Sequence, residues 1–250
     1  MMSSMLALLR KEFKSQWRTH RLLIVAAVFF VFGLGTPLLL KYLHALVPSE
    51  GFTGVLPQFT AADSAKGYID TLGQVGLLAA ILVAMGSVAA ERESGTAAMI
   101  LAKPAGPGRF IVAKLAALAV TFGLGIAIGA VGCYAYTVVL FGSPGGFNFL
   151  VANLIGWLYL LFCLSVTVMY SCFFKSQLAA GGLALVTLVA IAGTAGLPVL
   201  RDYSPGALMA LSQTWSSGGD TIAWGPLAVA IALIPATIFI GWQVFRRKEL

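Results

Sequence analysis

From residue 115 to residue 174 the chain carries no Asp, Glu, Lys, Arg or His. A soluble fold has no use for so long an interval without one ionisable group, whereas a helix crossing a bilayer needs only about 20 apolar residues. The interval is too long for one crossing and long enough for two. It divides at Gly142, Ser143, Pro144, Gly145 and Gly146, a cluster of turn-forming residues, which gives spans at 115–141 and 149–174. The same reading of charge-free intervals gives 22–40, ending at Lys41, and 71–90, enclosed by Asp70 and Glu91. It also gives 177–200, up to Arg201, and 221–245, between Asp220 and Arg246.

The expected fold is therefore an all-α membrane protein, a single transmembrane domain over 1–250 with six membrane-spanning helices. Composition agrees: 10% of residues are Asp, Glu, Lys or Arg, against roughly 25% in soluble domains. Many of the 28 glycines lie within apolar runs, where small residues let helices approach closely. Of these, Gly125 and Gly129 form a Gly-x-x-x-Gly face that Cys133 extends, for packing within one chain or between two copies. Cys133, Cys163 and Cys172 all fall in apolar intervals, with neither a disulfide framework nor metal-ligand spacing, and read as packing residues.

A net charge of +7 would suggest nucleic acid in a soluble protein. Here all but Lys41, Lys66 and Arg201 of the 16 Lys and Arg fall on one side of the six spans. By the positive-inside rule this predicts both termini in the cytoplasm, N-in and C-in, and no nucleic-acid partner. The basic stretch from Arg10 to Arg21 precedes a run of spanning length without a small-residue cleavage site, so it is not read as a cleavable signal, and the whole chain is expected to be the mature protein.

Residues 1–21 hold Met2, Leu6, Leu9, Phe13 and Trp17 at helical intervals, with Arg10, Lys11, Lys14, Arg18 and Arg21 around the rest. This is the pattern of an amphipathic helix lying in the membrane interface, or of a positively charged tail with accidental periodicity. Outside the opposite face, 201–220 contains Ser204 and Pro205 ahead of Ala207, Leu208, Met209 and Leu211. It reads either as a capped short helix dipping into the membrane or as a surface loop.

The inner connection at 91–113 is longer than neighbouring spans require. It runs Glu91, Arg92, Glu93, Ser94, Gly95, Thr96, then an apolar segment to Lys103 and Pro104, then Gly106, Pro107, Gly108 and Arg109 to Lys114. Physically this is a helix leaving the membrane, a Pro and Gly hinge, and a basic entry into the third span. That string resembles the loop between the second and third helices of ABC-2 type permeases, the membrane subunits of ABC exporters. The amphipathic N-terminal segment, the six spans, and Tyr203, Ser204 and Pro205 extend the resemblance over most of the chain. One departure is Pro107, where the family often has Arg; Arg109 follows it.

The resemblance implies that 91–113 carries a coupling helix seated in a groove of a separate ATP-binding cassette subunit, with Glu91, Glu93, Gly95, Thr96, Lys103 and Pro104 at or beside the contact. Glu91 and Glu93 are two residues apart, so on a helix only one faces such a partner. It further implies a second copy of the chain or a similar permease, a prokaryotic inner membrane, and ATP on the partner. This chain has no P-loop: neither Lys14-Ser15 nor Lys175-Ser176 follows a Gly-rich turn. No cofactor, metal site or catalytic residue is expected on it.

An ion-coupled secondary transporter is the rival reading. It calls for an ionisable group or an unwound helix at mid-membrane, and the six predicted spans hold no Asp, Glu, Lys, Arg or His in their interiors. An apolar pathway favours a hydrophobic, amphipathic or lipid-linked cargo. The interfacial contacts with the lipid bilayer fall to Leu6, Leu9, Phe13 and Trp17.

Overall fold

The structure, a computed structural model, describes residues 2–46, 59–93 and 107–248. Among these it is all helical: α1 (Met2–Arg18), α2 (Arg21–Leu46), α3 (Ala61–Ala84), α4 (Gly86–Glu93), α5 (Pro107–Phe141), α6 (Gly146–Phe173), α7 (Gln177–Thr194), α8 (Ala207–Ser216) and α9 (Trp224–Lys248). Six stretches are long and apolar enough to cross a membrane, α3 and α4 together forming the second. Glu12 on α1, Phe110 and Lys114 near the start of α5, and Phe245 near the end of α9 meet at one end of the bundle with α4. We call this the basic end, and the opposite one the distal end.

Several boundaries differ from the charge-gap reading. The helix that carries the second crossing starts at Ala61, ahead of the charge-free interval, because Thr60 and Asp63 form a reciprocal capping box: Thr60 N donates to Asp63 Oδ2 at 2.9 Å, and Asp63 N donates to Thr60 Oγ1 at 3.3 Å. Asp70 is thus inside a helix and accepts a hydrogen bond from Gln213 Nε2 of α8. Helix α5 starts at Pro107, where a proline's fixed φ and missing N–H suit the first turn. Its 35 residues make about 52 Å of helix, well beyond the roughly 30 Å apolar core. Lys114 therefore lies in the helix instead of bordering it. At the other extreme, α7 stops at Thr194, and 195–203 form successive turns around Gly196 and Pro198.

Helix α6 forms the centre, packed by α3, α5, α7, α8 and α9. Its buried side chains include Phe149, Leu160, Phe162, Leu164 and Val168. Helix α2 runs along α5 through small residues: a Cβ on Gly33 would collide with the Gly129 carbonyl oxygen, and one on Gly129 would come within 2.7 Å of the Phe29 oxygen. The Gly125/Gly129 face is thus used within the chain, against Val25, Phe29 and Gly33. The three cysteines are free and buried.

Of the two readings of 201–220, the helix holds. Helix α8 buries Leu208, Ser212 and Ser216, and Ser212 Oγ donates to Ala152 O of α6 at 2.7 Å. Ser204 is not its cap. Its hydroxyl accepts from Gly206 N at 3.1 Å, donates to Ile191 O at 3.1 Å and pairs with Thr194 Oγ1 at 2.8 Å, tying the start of α8 to the end of α7.

Candidate functional site

Three helices meet at the basic end around one ammonium group. Lys114, seven residues into α5 and only 5% exposed, donates to Glu91 Oε1 at 2.7 Å and to Glu12 Oε2 at 3.2 Å. Its Nζ also sits 4.8 Å from the centre of the Phe110 ring. Taking an ammonium out of water is costly, and two carboxylates and a ring face offset that cost here. Glu12 is itself 7% exposed, and Lys11 reaches its other oxygen at 3.6 Å from the exposed side. The cluster joins α1, α4 and α5. Glu91 and Lys114 also stand at the two ends of the 91–113 connection, so the connection is closed at its base by an ion pair.

Arg92 ties the same segment to the centre of the bundle. Its Nη1 donates to Cys172 O at 2.8 Å, and its guanidinium lies 5.9 Å from the Phe245 ring of α9. Cys172 is in the last turn of α6, where carbonyls have no helical partner and the helix dipole favours a cation.

A third tie sits at the α3–α4 break. Ser171 Oγ donates to Met85 O at 2.8 Å and accepts from Val88 N at 3.0 Å and Ala89 N at 2.9 Å. Amides in the first turn of a helix are ordinarily satisfied by a side chain just ahead of them. Here the hydroxyl comes from another helix. The break is closely packed: a Cβ on Gly86 would lie 2.5 Å from Gln177 Oε1.

Between α1, α4 and α5 remains a polar cavity of about 120 Å³, lined by Glu12, Gln16, Arg21, Ser87, Glu91 and Lys114 among others. Gln16 Oε1 and Ser87 Oγ have no hydrogen-bond partner among the described residues. A polar space of this size holds several waters by the measure of about 10–15 Å³ of probe-occupied volume each.

The residues predicted for the site divide accordingly. Glu91 points inward to Lys114, while Glu93, at the end of α4, is exposed. Gly95, Thr96, Lys103 and Pro104 lie outside the described residues. On α1, Phe13 and Trp17 are exposed and Leu9 is half-buried, so the apolar stripe does not pack into the bundle; Leu6 is in the helix, its side chain outside the described ones. The face that α1 buries is instead polar, through Glu12 and Gln16.

Sequence reading missed Glu12, Gln16 and Lys114. A signal was present: Glu12 is the only acidic residue before Glu50, in a segment otherwise basic, with Gln16 one helical turn on. Asp70 and Lys114, read from the sequence as borders of charge-free intervals, both lie inside helices.

The family model described as "ABC-2 family transporter protein" matches residues 6–250. The uncharacterized transmembrane protein YxlG of Bacillus subtilis (strain 168) is 25% identical over 99% of both chains. The Probable ABC transporter permease protein NosY of Stutzerimonas stutzeri is 28% identical over 61% of this chain and 55% of its own length. With six spanning helices, an exceptionally long α5 and a charged cluster closing the loop before it, this multi-pass membrane protein belongs to the ABC-2 family of transporter proteins and is a permease of that family.

Proposed function

We propose that the chain is the membrane-spanning subunit of an ATP-driven exporter of a hydrophobic, amphipathic or lipid-linked substrate. A separate ATP-binding cassette subunit hydrolyses the ATP and docks on the 91–113 connection. The basic end is cytoplasmic, and a second copy or a similar permease completes the pathway. The carrying observation is the Glu12–Lys114–Glu91 cluster. Because it closes the base of the connection and includes α1, a displacement of the connection moves α1, α4 and the start of α5 together. Arg92 passes the same displacement to the end of α6. Glu93 is the acidic residue left to face the partner, with Gly95, Thr96, Lys103 and Pro104 beyond it.

The test is reconstitution with the ATP-binding protein that co-purifies at native expression. The permease alone neither binds nor hydrolyses ATP. Gly95→Trp and Glu93→Lys weaken co-purification while the isolated chain melts unchanged, since repulsion is added to a lost contact. ATP binding by the isolated chain, or uptake driven by an ion gradient without any ATPase, defeats the reading. Orientation is read from single cysteines at exposed Ser217 and Ser176: an impermeant thiol reagent outside the cell modifies the first and spares the second.

A further inference from the structure

A groove of about 1330 Å³ runs between α1 and α5 at the basic end. Its floor on α5 is Ala116, Ala117 and Val120, and its wall on α1 is Leu9, Phe13 and Trp17. Small side chains on the floor leave the space open. Trp17 is 67% exposed beside it. At roughly 300–1,000 Å³, ordinary small-molecule pockets are smaller and more enclosed.

The rim decides the occupant. Arg10 and Lys14, one turn apart, and Lys11 beside them edge the groove along the side of α1 away from the bundle. The one acidic residue of α1, Glu12, is turned to the opposite side of the helix and is held by Lys114. The groove is thus an apolar trough whose lip carries Arg10 and Lys14, with Lys11 beside them also reaching Glu12 at 3.6 Å. Its depth fits the membrane: Val120 lies six residues past Lys114, about 9 Å further along α5 toward the bundle's middle.

We infer that this groove holds one anionic glycerophospholipid from the leaflet at the basic end. Its acyl chains lie along Ala116, Ala117 and Val120 under Phe13 and Trp17, and its phosphodiester is held by Arg10 and Lys14. A zwitterionic phosphatidylcholine brings a compensating ammonium to the same lip and is held less well. Lipid in the groove occupies the space on one side of α1 while the Glu12–Lys114 pair holds the other, so the occupant stabilises the docked position of α1. This inference does not depend on the ATPase partner or on orientation.

Detergent-purified chain is titrated with phosphatidylglycerol or phosphatidylcholine and read by native mass spectrometry and thermal melting. The wild type retains one phosphatidylglycerol per chain and melts higher with it than with phosphatidylcholine. Arg10→Gln/Lys14→Gln weakens the phosphatidylglycerol retention about thirty-fold and erases the difference in melting, while Arg246→Gln/Arg247→Gln, at the same end on α9, keeps both. A second readout places the chains: brominated phosphatidylglycerol quenches the emission component that Trp17→Phe removes, and Val120→Trp blocks retention by filling the trough. Equal binding of the two lipids by the wild type overturns the inference. So does equal loss in the two basic-pair variants, which marks general headgroup attraction. An Arg10→Gln/Lys14→Gln chain that keeps its lipid preference and loses its co-purifying ATPase overturns it too, by assigning the lip to a protein.

Discussion

The two ends of the bundle hold their helices together by different chemistry. At the basic end charged ties join the helices beside the neutral Ser171 hydroxyl: Lys114 between Glu12 and Glu91, and Arg92 on the Cys172 carbonyl. Toward the distal end they are mostly neutral: Ser64 with Thr137 at 2.9 Å, Ser212 on Ala152 O at 2.7 Å, and between the two ends glycines at backbone contact. Neutral hydroxyls contribute little but are cheap to bury in lipid. Buried charges cost much to separate, and a broken pair leaves an unpaired ion in a poor solvent. Parting the charged ties of the basic end therefore costs more than parting the distal contacts, which can be exchanged one at a time.

Removing the central cation gives the largest expected effect. Lys114→Met leaves two carboxylates facing each other and lowers the stability of the detergent-purified chain by about 3–5 kcal/mol, seen as a fall in melting temperature and earlier proteolysis of α1. Adding Glu12→Gln and Glu91→Gln recovers most of the loss. A Lys114→Met chain that melts like wild type would remove the contrast between the ends. An intermediate effect is expected at the helix crossing, where Gly129→Leu forces α2 away from α5 for about 1–3 kcal/mol; Gly129→Ala is milder, and a neutral result for leucine would mean that the helices slide freely. The smallest belongs to the distal hydroxyls: Ser64→Ala costs about 0.6 kcal/mol, typical of a hydrogen bond between membrane helices. A loss equal to that of Lys114→Met would make the distal end the rigid one.

Charge-free intervals disclosed the six crossings because the bilayer penalises every ion in its core. The same rule does not mark where the helices themselves begin and end. Asp70 was a border by charge and is a helical residue paired with Gln213, because the Thr60–Asp63 box starts the helix nine residues earlier. Periodicity found the apolar stripe of α1 through Phe13 and Trp17, which stays exposed. It could not find Glu12 and Gln16 on the buried side, since their environment is set by Lys114, 102 positions away from Glu12. The Glu91-to-Thr96 string was legible only through family resemblance. Its inward contacts, Glu91 to Lys114 and Arg92 to the Cys172 carbonyl, join residues far apart in the sequence that the linear motif does not connect.

The Ser171 hydroxyl has a consequence for how the second crossing responds to load. Helix α4 is eight residues long, too short to persist by its own propensity, and two of its first amides donate to a residue of α6. Its winding is thus conditional on the neighbour. Drawing α6 away by the length of one hydrogen bond would strip those amides and let the first turn of α4 uncoil, paying out chain between the bundle and the connection that follows. The joint behaves as a clutch: engaged, it carries a push from one end of the crossing to the other; released, it gives slack.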